Sequence, residues 1–474
     1  MVHSLICDDG KHEHINGSAM GELTNVQKMY DFYYEDEFIQ DTDIFVHKEY
    51  ITGIGTGNEA LFKLAKESLP GQGLGIGEYG VEQKVLDGID QLCASMTGTN
   101  SHRIKNTLNT KLKMEIQINK YDGLRSITFD VFGFSRGSAS ARHFINQVLL
   151  DVDTNVFIPK FTEACNKINL PLSPGFDWTN NDNCMISFAG IFDTVAAVSE
   201  IIDFDTPSLD VLPNDRNGDV MLWLDPERIQ KAYHFTAHPE FEYRAFFGLN
   251  KFNKGGPLEE IALFGCHSDI GGGYYSSQSL AQKDYILPLL EKQKIIETYS
   301  ENKTVINNTI KNHTDREVRQ GWNKEDLEIK IEAKNFSRRG GYMGSIYMNR
   351  ITSGDLSRIY LRLAYGLAHY NEVPLQDYWD KDITINLGLD NEKGRYPIQR
   401  YISLPSNLAI FGKNVLKEAM KGNIYSKLLS EDFKQALLKH NMIHHSSDAG
   451  IANMPSYNDE LNRYYRKEYD CEKN

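Results

Sequence analysis

Residues 129–150 read FDVFGFSRGSASARHFINQVLL, and they decide how the rest of the chain is read. Within them Gly133-Phe134-Ser135-Arg136-Gly137 is a G-x-S-x-G. Ahead of it runs the apolar, partly β-branched Ser126-Ile127-Thr128-Phe129-Asp130-Val131-Phe132, and behind it comes a stretch of helical periodicity opened by small residues. Strand, sharp turn, helix is the context of a nucleophile elbow, which holds its serine in a strained turn with Oγ at the top of a sheet. Gly133 and Gly137 have a mechanical reason, because a side chain at either flank would collide with the neighbouring strand or helix. The competing reading is a glycine-rich turn whose serine only caps the helix.

A serine nucleophile needs a base to take its proton and an acid to orient that base. Two later apolar runs of strand length supply candidates at their carboxyl ends, where such residues sit in open α/β sheets. Met185-Ile186-Ser187-Phe188-Ala189-Gly190-Ile191-Phe192 ends at Asp193, and Ile261-Ala262-Leu263-Phe264-Gly265-Cys266 ends at His267. Ser135, Asp193, His267 is the chain order of α/β-hydrolases. Taken singly, Asp193 also reads as a helix cap and His267 as a loop histidine. His234, His444 and His445 are alternative bases, but no apolar strand ends directly at any of them. Asp203 and Asp205 are alternative acids in a looser loop, and Asp269 reads as a brace for the Gly-rich turn after His267. The oxyanion is expected to meet the backbone N–H of Arg136 and a second N–H from the Asp9-Gly10 loop, with Gly10 as the donor. The side chains of Arg136 and Arg142 either steady a phosphate or acidic partner or form an ion pair on the elbow helix.

The composition narrows the function classes. The 474 residues are 41% hydrophobic and 11% aromatic, enough for a sizeable core. The formal net charge is −14, which argues against nucleic-acid binding and leaves apolar or local contact as the route to a membrane. The six cysteines are scattered without C-x-x-C pairs or zinc spacing, so neither a metal nor another cofactor is expected. The start, MVHSLICDDG, has no basic segment followed by an apolar core, so no signal peptide is expected. No apolar run approaches the ~20 residues of a membrane span.

Along the chain, an initial strand ends at Asp8-Asp9-Gly10 and Thr24-Asn25 caps a helix. GQGLGIGEYG (71–80) contains a formal G-x-G-x-x-G, but the preceding LFKLAKESLP reads helical, whereas a dinucleotide site requires a strand there. Residues 1–275 are expected to form an α/β core with a mostly parallel sheet flanked by helices. Residues 276–350, rich in Lys, Glu, Asn and Gln, read as a charged helical insertion. Residues 351–474 return to the core through the periodic LSRIYLRLAYGLAH and add a helical cap region.

These motifs together resemble the DUF2235 family of α/β-hydrolases and, within it, the Tle1 group of type VI secretion lipase effectors. The matching pieces stand in the family's order: CDDG, TNVQKMY, YITGIGTG, GFSRGSASAR, GIFDTVAAV, HSDIGGGY, LSRIYLRLAYGL and the late IHHSS. The resemblance implies a phospholipase A-type activity on glycerophospholipids at a membrane surface, with a Ser-Asp-His triad that falls on Ser135, Asp193 and His267. It also implies a secretion spike or adaptor and a cognate immunity protein as partners, with synthesis in the bacterial cytoplasm and delivery to a rival cell's periplasm. Family members usually continue the first motif as DGT-x-N, where this chain has Asp-Gly-Lys-His-Glu. Two other readings fit the residues: a cytosolic carboxylesterase for small soluble esters, and a non-catalytic binding module on a hydrolase fold. A serine Oγ more than ~4 Å from every histidine nitrogen would mark the last.

Overall fold

The computed structural model describes residues 2–9, 24–34, 37–51, 81–97, 120–151, 153–196, 220–274, 290–334, 340–352, 354–376, 406–450, 453–458, 460 and 462–471. The strands β1 (Val2–Asp9), β2 (Glu37–Phe38), β3 (Phe45–Ile51), β4 (Ile127–Phe134), β5 (Cys184–Phe192), β6 (Ala232–Ala237) and β8 (Leu258–Leu263) form one sheet in the order β2-β3-β1-β4-β5-β6-β8. All neighbours pair in parallel except β2 with β3, which is the mostly parallel sheet expected.

Every residue of β4 is buried, because a parallel strand is covered on both faces. Its side chains alternate between the two faces. Ile127, Phe129 and Val131 pack with the helices α2 (Val81–Thr97), α3 (Arg136–Leu149) and α4 (Phe157–Lys167). Phe132 and Phe134 pack on the other side with α1 (Asn25–Phe32) and α7 (Leu356–Tyr370). The amphipathic period of α7 predicts one buried face, yet Leu356 through Ala368 are all buried, so this helix lies wholly inside the protein.

Register positions the site. The pairing of β4 with β5 shifts between Phe129 and Asp130, where Ser187 turns its hydroxyl to Phe129 O and Asp130 Oδ1. After this shift Phe134 lies beside Phe192, and Phe192 beside Phe235. Ser135 and Asp193 therefore leave the sheet side by side.

The segment expected to be a charged helical insertion is different in kind. It holds α6 (Lys303–Arg319), but also an antiparallel sheet in the order β10-β11-β9, made of β9 (Leu290–Ser300), β10 (Leu327–Lys334) and β11 (Gly341–Ile351). One face packs on α6, with Gly344 so close that a Cβ there would stand 2.8 Å from Ile306 and Ile310. The other face is solvated, and on β10 half the residues are charged, so a sequence like LEIKIEAK loses its strand signature in the mixture. After α8 (Ser406–Ala419) and α9 (Glu431–Lys439) the chain ends in short strands. Of these, β12 (Tyr457–Asn458) pairs with β13 (Arg463–Tyr464), and β14 (Glu468–Tyr469) pairs with β7 (Leu249–Asn250). Among the described residues no helix is long and apolar enough to cross a membrane.

Candidate active site

Ser135 joins β4 to α3 at φ 61° and ψ −125°, a backbone conformation that an L-residue holds only when its surroundings enforce it. Its N–H donates to Phe192 O at 3.0 Å, which pins the turn to the end of β5. A Cβ on Gly133 would stand 2.5 Å from Gly137 O and 2.8 Å from Ser138 Cα, so the glycine before the turn is a steric requirement. Gly137 lies buried in the first turn of α3. The Ser135 side chain makes no capping bond to α3, which removes the reading of this serine as a helix cap.

Ser135 Oγ lies 2.7 Å from His267 Nε2, and His267 Nδ1 lies 2.5 Å from Asp193 Oδ2. With Nδ1–H donating to the carboxylate, Nε2 is left to accept from the serine hydroxyl. The wide serine–histidine gap that would mark a non-catalytic relic is therefore not found. His267 opens the short helix α5 (His267–Gly271) after β8, and its ring lies between Phe134 and Phe247, at centroid distances of 4.6 and 4.9 Å. Burial pushes the imidazole pKa down to about 4, against the opposing pull of Asp193. Burial would raise the Asp193 carboxyl, but the Arg466 guanidinium and His267 outweigh it and hold the group well below the usual range.

Supports for this chain come from segments far apart in sequence. Arg466 donates to both Asp193 oxygens, at 2.7 and 2.9 Å, and Ala237 N–H adds a third bond to Asp193 at 2.8 Å. The His267 N–H donates to Glu242 Oε2, and Glu242 is in turn held by Arg244 through two further bonds. Asp269 accepts from the N–H groups of Cys266 and His444 and from the His444 ring, so it braces the turn and also ties it to the IHHSS segment. That segment is gripped from its other side by Glu291 on β9, Arg350 on β11 and Glu317 on α6. Asn25 of the TN motif donates to Ile270 O and Ser357 O, linking α1, the Gly-rich turn and α7.

The alternative histidines stand elsewhere. His234 bonds Glu260 and Thr194, His444 bonds Asp269, and His445 bonds Glu317 and Tyr243. The expectation for Arg142 is corrected. It is fully buried and donates to the carbonyls of Leu222, Asn250 and Lys251, so it staples loops to α3 and presents nothing to a phosphate or an acidic partner. Arg136 is half-buried and opens the first turn of α3, directly after Ser135. Gly10, the glycine run at 71–80, most of the YITGIGTG motif, Asp203 and Asp205 lie outside the described residues. No sequence pattern marks Arg466, Glu242 or Arg244: Arg466 lies in a polar tail, and Glu242 and Arg244 in FEYR, which matches no motif. Among the described residues no cluster of three or more His, Cys, Asp or Glu side chains could hold a metal ion.

Neither a protein-family model nor a curated protein matches the chain by sequence. Solved structures do match it by shape. One is the Tle1 effector bound to the VgrG spike from the type 6 secretion system, at a TM-score of 0.62 and 19% identity. The match covers 99% of this chain and 93% of that one. An uncharacterized protein from Pseudomonas aeruginosa aligns at a TM-score of 0.43 and 17% identity, over 89% of this chain and 52% of that one. Over nearly its whole length the chain therefore has the fold of the Tle1 effector, an α/β architecture with a central parallel sheet flanked by helices.

Proposed function

We propose that this protein is a serine carboxylic-ester hydrolase of the phospholipase A type, acting as an antibacterial type VI secretion effector. The observation that carries the reading is the hydrogen-bonded chain Ser135–His267–Asp193 at the ends of three parallel strands, with its serine on a strained strand-to-helix turn. Ser135 Oγ attacks the ester carbonyl while His267 Nε2 takes its proton, and Asp193 holds the imidazole tautomer and balances the imidazolium. The Arg136 N–H at the start of α3 faces the developing oxyanion. His267 then protonates the departing lysophospholipid alcohol, and a water activated by the same nitrogen releases the fatty acid from Ser135.

The ordered motifs support the lipid substrate, and the likeness in fold to the Tle1 effector supports the delivery route. That effector is bound to a VgrG spike, so a spike of this kind is the proposed carrier; a cognate immunity protein in the producing cell is proposed from the motif resemblance alone. On this reading the protein is made in the cytoplasm and delivered to the target cell's periplasm. The test is fatty-acid release from vesicles of phosphatidylethanolamine and phosphatidylglycerol by wild type and Ser135→Ala. Release by wild type with loss in the variant supports the reading. Equal release by both would remove Ser135 as nucleophile, and turnover of short soluble esters alone would move the substrate away from lipid.

A further inference from the structure

Asp193 has a partner that the acyl-transfer scheme does not call for. Arg466, from the last dozen residues of the chain, reaches under the sheet ends and grips the carboxylate with both terminal nitrogens. Nη1 lies 2.7 Å from Oδ1 and Nη2 2.9 Å from Oδ2. The same guanidinium donates through Nε to Phe247 O at 2.9 Å and through Nη1 to Ala237 O at 3.1 Å. Its plane is thus fixed by three separate groups, and both side chains are buried.

The carboxylate is fully subscribed as a result. Oδ1 accepts from Ala237 N–H and Arg466, and Oδ2 accepts from Arg466 and His267 Nδ1. A turn of the Asp193 side chain that moved Oδ2 off the imidazole would break the two-pronged pair and the Ala237 bond together. The tail is built to hold the arginine in place. Two residues earlier, Tyr464 lies in β13 and donates to the buried Glu317 of α6. Two residues later, Glu468 lies in β14 against β7 and pairs with Lys251.

We propose that Arg466 is a positioning residue for the acyl transfer, fixing the Asp193 carboxylate so that Oδ2 stays on His267 Nδ1. The inference rests on the reading of Ser135, His267 and Asp193 given above. A simple counter-charge for a buried carboxylate is the bland account, and it makes a different prediction. A compensating charge needs only a cation, whereas positioning needs the planar fork that lysine lacks. The charged groups facing His267 are Asp193, Glu242 and Arg244, with Arg466 behind Asp193. Glu242 keeps its own ion pair with Arg244 when Arg466 is replaced and loses only a more distant charge, so the change falls chiefly on Asp193. Without the guanidinium the carboxylate acts unopposed on the imidazole and favours its protonated form, moving the acid limb of activity to higher pH.

The experiment measures the rate of Ser135 labelling by a fluorophosphonate across pH, with Ser135→Ala as blank, in full-length wild type, Arg466→Ala and Arg466→Lys. Near-UV circular dichroism and melting report folding. The expected result for folded Arg466→Ala is labelling slower by about 10²-fold, the scale of a small misplacement of a catalytic group, with the acid limb moved up. Arg466→Lys keeps the limb near that of wild type but remains slower by about tenfold, because the charge survives and the fork does not. Should Arg466→Ala fail to fold, the lysine variant decides alone, and a wild-type rate in it overturns the proposal. If wild type and Arg466→Ala label at the same rate with the same limb, the role of Arg466 is overturned and the Ser135 reading stands. If wild-type Ser135 is not labelled at all, that reading falls and takes the role of Arg466 with it.

Discussion

His267 and His234 are both fully buried, and each stands between a carboxylate and a hydroxyl. His267 has Asp193 on Nδ1 and Ser135 Oγ on Nε2; His234 has Glu260 on Nδ1 at 2.9 Å and Thr194 Oγ1 near Nε2 at 3.1 Å. Burial lowers the pKa of both. They differ in what else reaches Nε2. At His234 the Thr194 N–H donates to that nitrogen at 3.1 Å, so its lone pair is occupied by a backbone donor. At His267 the serine hydroxyl faces Nε2, and the serine sits at positive φ where a helix begins. Thr194 follows β5 with no described helix starting from it. A hydroxyl–imidazole–carboxylate chain is therefore not enough for acyl transfer. The base must have a lone pair to offer, and the hydroxyl must sit where backbone N–H groups can receive the oxyanion.

Substitutions along the two chains should separate them sharply. Ser135→Ala is expected to lower kcat by about 10⁶-fold, the scale seen when a serine nucleophile is removed. Thr194→Val should leave kcat/KM within about tenfold, since its hydroxyl takes no part in the chemistry. Equal losses in the two variants would erase the distinction. Asp193→Asn is expected to cost about 10⁴-fold in kcat, because an amide N–H facing Nδ1 forces the wrong tautomer on His267. Glu260→Gln, the parallel change at His234, should stay within about tenfold of wild type.

The pH profile of kcat/KM sharpens the comparison. The neutral form of His267 is the working base, and its pKa is lowered to about 4, so activity should hold through mildly acidic pH and fall with unit slope as pH drops through about 4. A limb at the ordinary histidine value, near ~6.5, would contradict the burial argument. The stability sign follows from the same shift. Between about 4 and the ordinary histidine value the unfolded chain binds the proton that folded His267 refuses, so His267 makes stability rise with pH across that window. The smallest expected effect is structural: His234→Ala should lower stability by about 1–3 kcal/mol in denaturant melts, through the lost bonds to Glu260 and the Thr194 N–H, with little change in kcat/KM.

Some parts of this arrangement are legible in one dimension because they are local. The elbow is a contiguous strand, turn and helix, and its glycine is explained by atoms within eight residues of it. Asp193 stands directly after the apolar β5 and His267 four residues after β8, so both fall at the carboxyl ends of parallel strands of one sheet. The inserted sheet is hard to read in the sequence because a half-solvated antiparallel strand such as β10 mixes charge into its apolar alternation. Arg142 belongs to the elbow helix, yet its partners are three carbonyls some eighty and more residues away, a choice that no periodicity records. Arg466, Glu242 and the Asp269–His444 pair are likewise invisible in the sequence. Each joins segments that meet only after folding: Arg466 and Glu242 stand in stretches that read as ordinary surface, and Asp269, legible as a brace of its own turn, gives no sign of its partner His444.

The most direct test of the central claim is to find where an acyl-type adduct forms. Full-length protein is treated with a fluorophosphonate and digested, and the modified peptide is sequenced by mass spectrometry. The account predicts a single adduct on Ser135, absent from Ser135→Ala, with Thr194 unmodified in both. An adduct at another residue, or a Ser135→Ala variant that is still labelled and still releases fatty acid at the wild-type rate, would contradict it.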